Sequence, residues 1–447
     1  MNNQKRRFLV GETSISASRW LFLICFLVYC VSYIARGSFS FVRTTMIDAG
    51  ALTEGVAGAI SAAYFIFYAL GQLVNGFLGD RASPFVMVTS GLAIVVVSNL
   101  LMTFSQPEGL YILWWGINGY GHSMLWSPVF FVLSNLINLK MRTFALTAIS
   151  ICAPMGKIAS ALVSGAVISI GKWQDVFFTV SMIASAVLIL WITRYLTLSK
   201  RIFINDYRND GNNEFKEQIE RNDPKTKKSI GLFPILVASG LIIMLPSMLV
   251  HGLFYNGVVE LIPTILYSEY SMTPTMAAVI EIIIPIMSIA GVFFANFVYY
   301  KIFKQNDMKS ASFMMGITLL PIGIMLLLGI FKRDGYMIGQ YADAIIFVTT
   351  YALVYLFQFG FNHIAIVLMP AKFARFSYSS TVSGIANAIN YGGSAISTYG
   401  MTYALLRLEL WQTVLIWAGV LMIALILVLA AQRRWSKFTE KEMLFEY

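Results

Sequence analysis

Tyr29, Tyr33 and Arg36 stand at i, i+4 and i+7, the spacing that puts three side chains on one face of a helix. Between Arg19 and Arg43 the run carries no other charge. A guanidinium inside so apolar a run costs about 2.5–3.5 kcal/mol on insertion scales, so such residues face a protein cavity and mark a pathway. Its planar fork of donors grips a carboxylate or phosphate at two points, which an ammonium cannot do. Two phenols and a guanidinium on one face therefore point to binding of a small anion.

Other ionisable groups fall in equally apolar runs. Lys157 and Glu281 are the clearest, and with Arg36 they leave a net charge of one positive unit in the apolar core. A bound anion would relieve that charge. An ion pair between Lys157 and Glu281 is expected without substrate, and a desolvated lysine sheds its proton more readily than an arginine, a pH-dependent element. His122 and His251 are read either as helix-contact histidines or as coupling residues. No phosphate-cradling loop, metal-ligand cluster or catalytic-triad spacing is present, so neither an enzyme nor a cofactor or metal is expected.

The elements that must hold these groups follow from composition. Of 447 residues 58% are hydrophobic and 12% charged, with mean hydropathy +0.72. Soluble domains are nearer 45–50% apolar and about 25% charged. Too little polar surface remains to cover a water-soluble fold, so the surrounding medium is lipid. At roughly 20 residues per crossing, twelve spans are predicted: 19–42, 54–78, 84–105, 109–137, 143–170, 174–197, 240–267, 274–300, 308–331, 339–368, 377–403 and 409–431. Cys25, Cys30 and Cys152 fall inside spans, which argues against a disulfide framework. The basic, polar first 19 residues lead into an uncleaved first helix.

Of the 32 lysines and arginines, twenty-five fall on the face of the chain ends. The opposite face holds Arg43, Lys172, Lys332, Arg333 and Arg407. This bias predicts cytoplasmic termini, and the expected location is the plasma membrane. The net charge of +10 is thus a topology signal and not a nucleic-acid surface. The segment 200–228 carries 14 charged residues in 29 and cannot bury a core. It divides the chain into a half at 1–197, a cytoplasmic linker at 198–230 and a half at 231–447. The halves echo each other: Trp173-Gln174 opens span six as Trp411-Gln412 opens span twelve. The expected fold class is an all-α membrane protein, twelve transmembrane helices in two six-helix pseudo-symmetric halves.

Between spans two and three, "NGFLGDRASP" (75–84) resembles the G-x-x-x-D-R loop of major facilitator transporters, which implies that fold. There Gly76 allows close helix approach, while Asp80 and Arg81 can form a charge gate with neighbouring helix ends that differs between two states. Further stretches resemble, in order, the organophosphate:phosphate antiporters, the family of glycerol-3-phosphate and hexose-phosphate transporters. They are Tyr29/Tyr33/Arg36, Tyr68 with "GDRASP", "GYGHSMLWSP" with Trp126, "NGVVELIPTIL", Glu281 with Pro285, and "INYGGSA" with Tyr391. Helix-face spacing together with the resemblance predicts a central pocket lined by Tyr29, Tyr33, Arg36, Tyr68, Trp126, Lys157, Tyr255, Asn256 and Tyr391. Coupling or gating falls to Asp80, Arg81, Glu281, His122 and His251. The chain departs from the family where a second arginine is expected in the seventh helix: Tyr255 stands there. Gly37, Gln72 and Ala153 replace three further polar positions, and Lys157 lies one turn beyond the last.

The function implied is secondary active transport of a small organic anion, a sugar phosphate or similar organophosphate or carboxylate, by alternating access. Inorganic phosphate or protons are the candidate coupled species, lipid the surroundings and a monomer the expected state. Two alternatives stay open: proton symport of a non-phosphate organic anion, and an anion sensor built on the same fold.

Overall fold

The computed structural model describes residues 13–104, 106–209, 231–258, 274–336 and 338–443, with isolated residues between 262 and 271. Its helices are α1 (Ile15–Asp48), α2 (Glu54–Gly79), α3 (Pro84–Met102), α4 (Glu108–Phe131), α5 (Leu139–Ile170), α6 (Trp173–Asn209), α7 (Leu232–Ala238), α8 (Leu241–Gly252), α9 (Pro274–Phe297), α10 (Asp307–Ile317), α11 (Leu319–Arg333), α12 (Gln340–Asn362), α13 (Ser379–Arg407) and α14 (Leu410–Met443). Local chemistry sets many of the starts. Ser14, Thr53, Asn138 and Asn306 each accept a backbone N–H of the first turn, and Pro84 opens α3.

Among the described residues nine helices are long and apolar enough to cross a bilayer, or ten if α7 and α8 are joined. That pair is bent by 85° at Gly240, which adopts φ 74 where a side chain would be strained. The seventh span therefore starts at Leu241, and α7 lies across its end. α10 and α11 make one span over Asp307–Arg333. The remaining two crossings are α4 and α13, whose 24 and 29 residues reach about 36 and 43 Å at 1.5 Å each. Both are more polar than the other spans, and both hold the centre. α6 runs on to Asn209, through the start of the charged segment.

The two halves share one packing plan. Counting by span, one packs on five and six, two on four, and three on four and six. In the other half seven packs on eleven and twelve, eight on ten, and nine on ten and twelve. Between halves, span two packs on eleven and span five on eight. Exchanging the halves turns the first of these pairs into the second, as a pseudo-twofold axis requires. Outside, Leu162, Ile189 and Leu320 stand 68%, 63% and 68% exposed, apolar side chains offered to lipid.

Candidate functional site

α1 delivers Tyr29, Tyr33 and Arg36 to the junction of the halves. The Arg36 Cζ lies 5.7 Å from the Tyr33 ring centre, 5.2 Å from Tyr64, 5.5 Å from Phe65, 5.5 Å from Tyr68 and 4.8 Å from Tyr391. Four of those rings belong to the first half and Tyr391 to the second. Each ring face over a desolvated cation contributes about 0.5–2 kcal/mol, enough together to offset the cost of the buried guanidinium. The Arg36 Nη1 donates to the Tyr391 hydroxyl at 2.5 Å. Among the described residues no carboxylate meets this guanidinium. Among the described residues its remaining donors meet no protein acceptor.

Beside the cage lies a small cavity of about 30 Å3 lined by Tyr29, Tyr33, Trp126, Ile149, Ser150 and Ala153 of the first half and Phe359, Asn362, Ile366, Val367, Asn387, Asn390 and Tyr391 of the second. The Tyr29 ring sits 5.2 Å from Tyr33 and 4.9 Å from Trp126, and the Trp126 Nε1 donates across the junction to the Ser383 Oγ at 2.8 Å. Such a volume holds about two waters. An organic anion enters only after side chains or halves part.

The predicted residues are thus brought together unequally. Tyr29, Tyr33, Trp126 and Tyr391 line the cavity, while Arg36 and Tyr68 stand next to it in the cage. Lys157 is half-buried, next to Gly156, whose Cα packs on Tyr33 and Cys30 of α1. It does not line the small cavity. The side chains of Tyr255, Asn256 and Glu281 lie outside the described residues, so the expected Lys157–Glu281 pair does too. His122 does not bridge the halves. Its ring nitrogens each stand 2.9 Å from a carbonyl oxygen, of Asn118 and of Ser32, tying α4 to α1. His251 stands 3.2 Å from the Gln358 Oε1 and 3.1 Å from the Asn362 Oδ1, tying α8 to α12.

A seal closes the junction toward the membrane face where α1 begins. The Asp80 carboxylate follows α2 and caps α13 of the other half. Its Oδ1 accepts from Ser380 N at 2.9 Å and Ser379 Oγ at 3.4 Å. Its Oδ2 accepts from Thr381 N and Thr381 Oγ1, both at 2.7 Å. Four donors and a helix N-terminus hold the charge there. Burial still pushes the Asp80 carboxyl above its ordinary range, outweighing the pull of these donors. Gly76 and Gly384 let α2 and α13 touch: a Cβ on Gly384 would come 2.6 Å from the Gly76 Cα. The Arg81 guanidinium lies 3.5 Å over the Phe77 ring and 3.0 Å from the Phe77 carbonyl of its own helix, and 6.0 Å from the Tyr378 ring of the other half.

Sequence reasoning missed the second latch. His363 stands 2.8 Å from the Ser150 Oγ of the first half and 3.2 Å from the Asn296 Oδ1 of the second, and Asn296 donates to Thr147 at 3.2 Å. The signal was present as the one histidine in the apolar run "NHIAIVL" ending span ten. Tyr64 and Phe65 were also missed, although Tyr64 and Tyr68 repeat the i, i+4 phenol pair of α1. Among the described residues no histidine, cysteine and carboxylate cluster of metal-binding size occurs.

The sequence profile described as Major Facilitator Superfamily matches residues 25–398. A "Probable hexose phosphate transport protein" of Chlamydia trachomatis is 27% identical over 158 residues, 35% of this chain and 35% of that one. The "Membrane sensor protein UhpC" of Salmonella typhimurium is 26% identical over 102 residues, 23% of each. The chain spans about a third of the length of the first of these curated relatives. Among solved structures, the proton:xylose symporter XylE bound to 6-bromo-6-deoxy-D-glucose superposes with TM-score 0.68 at 12% identity, over 92% of this chain and 95% of that one. A bacterial homologue of the iron transporter ferroportin in an outward-facing state superposes with TM-score 0.62 at 12% identity, over 94% and 99%. These two likenesses carry the fold alone.

Proposed function

The chain belongs to the Major Facilitator Superfamily, and we propose that it is a secondary transporter carrying a small organic anion of the sugar-phosphate kind by alternating access. One observation carries this reading. Arg36 lies where both halves meet, in an aromatic cage, with no carboxylate partner among the described residues. A fork of donors held in that way is prepared for an anionic oxygen pair. The name of the Chlamydia relative supports the sugar-phosphate class.

The working cycle follows from the seal. With Asp80 on the α13 N-terminus and Ser150 on His363, the face where α1 begins is shut, and the basic loops make that face the cytoplasmic one of the plasma membrane. Substrate reaching Arg36 displaces the Tyr391 hydroxyl from the guanidinium. That releases one tie between the halves at midplane, so occupancy biases their rocking about the site. Phosphate exchange and proton symport are the two coupling schemes open to this arrangement. An anion sensor is the second reading, because one relative is named a membrane sensor protein.

The deciding experiment is uptake of labelled glucose 6-phosphate into proteoliposomes of the purified chain, preloaded with phosphate or held under a proton gradient. Accumulation under either condition supports transport and names the coupling. Saturable binding without uptake under both would refute transport and favour the sensor.

A further inference from the structure

The two sides of the central cavity differ in chemistry. The cation belongs to the first half. The second half presents three amides, Asn362, Asn387 and Asn390, with the Tyr391 hydroxyl between them and Arg36. None of these amides meets a charged side chain among the described residues. Asn390 is 1% exposed, and among the described residues its Oδ1 has no hydrogen-bond partner. A buried amide oxygen without a donor is costly unless something supplies one. Asn387 is 7% exposed on the same helix, one turn away. Asn362 is held in place from behind by His251, itself 3.2 Å from Gln358, whose Nε2 donates to the Thr318 Oγ1 at 3.2 Å.

Amides offer a donor and an acceptor side by side. That set matches a hydroxyl, which is both at once, and gives a second anionic group nothing to pair with. We propose that Asn362, Asn387 and Asn390 form a hydroxyl-reading subsite, so that the substrate is an anion with one charged group on a polyhydroxyl body, charged end on Arg36. The inference rests on the anion-carrier reading above and adds to it which part of the substrate each half recognises.

The test compares three probes on the purified full chain by equilibrium binding: glucose 6-phosphate, ethyl phosphate, which keeps the anion without the hydroxyls, and glucose, which keeps the hydroxyls alone. The sugar phosphate should bind about 30-fold more tightly than ethyl phosphate, the worth of two neutral hydrogen bonds. In Asn390→Leu and in the smaller Asn387→Ser that ratio should fall several-fold, with ethyl phosphate binding within about threefold of the parent. Arg36→Lys should weaken both phosphates and keep the ratio. Melting curves of each variant identify any that fail to fold, and the serine variant, which is smaller than asparagine and adds no bulk, keeps the test available. Equal binding of the two phosphates by the parent chain, or an unchanged ratio in both asparagine variants, would overturn the subsite alone. Binding of neither phosphate would overturn the anion reading and the subsite with it.

Discussion

Replacing Arg36 by lysine keeps the charge and removes the fork. In the structure the guanidinium spends one donor on Tyr391 at 2.5 Å and lies 4.8 to 5.7 Å from five ring centres. A bound phosphate would take two of its donors in parallel; an ammonium supplies one well-placed donor at that distance and strongly prefers water to an aromatic cage. Losing one charge-assisted hydrogen bond costs about 1.5–3 kcal/mol, a tenfold to hundredfold loss of affinity at about 1.4 kcal/mol per decade. Isothermal calorimetry of glucose 6-phosphate and of inorganic phosphate on the purified variant measures it, and a melting curve shows that the cage still packs. Arg36→Met, which removes the charge as well, should abolish binding of both. An affinity unchanged in a folded Arg36→Lys variant would show that the arginine only holds helices together, and the anion site would have to be sought elsewhere.

The remaining predictions concern the seal, read by maleimide labelling of a single cysteine at Ser127, which is fully buried there, after the three native cysteines are replaced. Asp80→Asn turns an amide N–H2 toward two of the four donors, at about 1.5–3 kcal/mol per lost bond, so labelling should speed up at least tenfold; an unchanged rate would show that the cap does not hold the halves. Because burial raises the Asp80 carboxyl in the sealed form, that form takes up a proton more readily than the open one. Sealing is then strengthened as pH falls through the raised value and weakened as pH rises above it, so labelling, corrected for thiol ionisation, should slow as pH is lowered into the carboxylate range, and that dependence should vanish in Asp80→Asn. Labelling that quickens as pH falls would contradict the assignment. Gly384→Ala drives a methyl to 2.6 Å from the Gly76 Cα and 2.7 Å from the Gln72 carbonyl; neither is a side chain that can turn away, so strain of about 1–3 kcal/mol should raise labelling several-fold, and no change would mean that α2 and α13 do not meet.

Composition alone placed this chain in lipid, and the expected spans fall on helices of the structure, although α1, α6 and α14 run past their expected ends. Span ten was expected at 339–368, and α12 with its π-helical end covers 340–368. That succeeds because a bilayer imposes one rule on every crossing: about twenty residues with backbone hydrogen bonds satisfied within the segment. Arg36 was legible for the same reason, since a charge in an apolar run is conspicuous in one dimension. What stood beyond reach was partnership. Tyr391 lies 355 residues from Arg36, and Asp80 caps a helix 300 residues away. Only the resemblance put Tyr391 in the pocket and Asp80 at a helix-end gate; nothing local names Arg36 or the α13 N-terminus as their partners. His363 passed unnoticed because a neutral imidazole satisfied by Ser150 and Asn296 leaves no trace in hydropathy. Sequence determines what each helix can bury; only the meeting of two folded halves decides which buried polar group finds a partner, because that is a property of helix faces brought together and not of any run of residues.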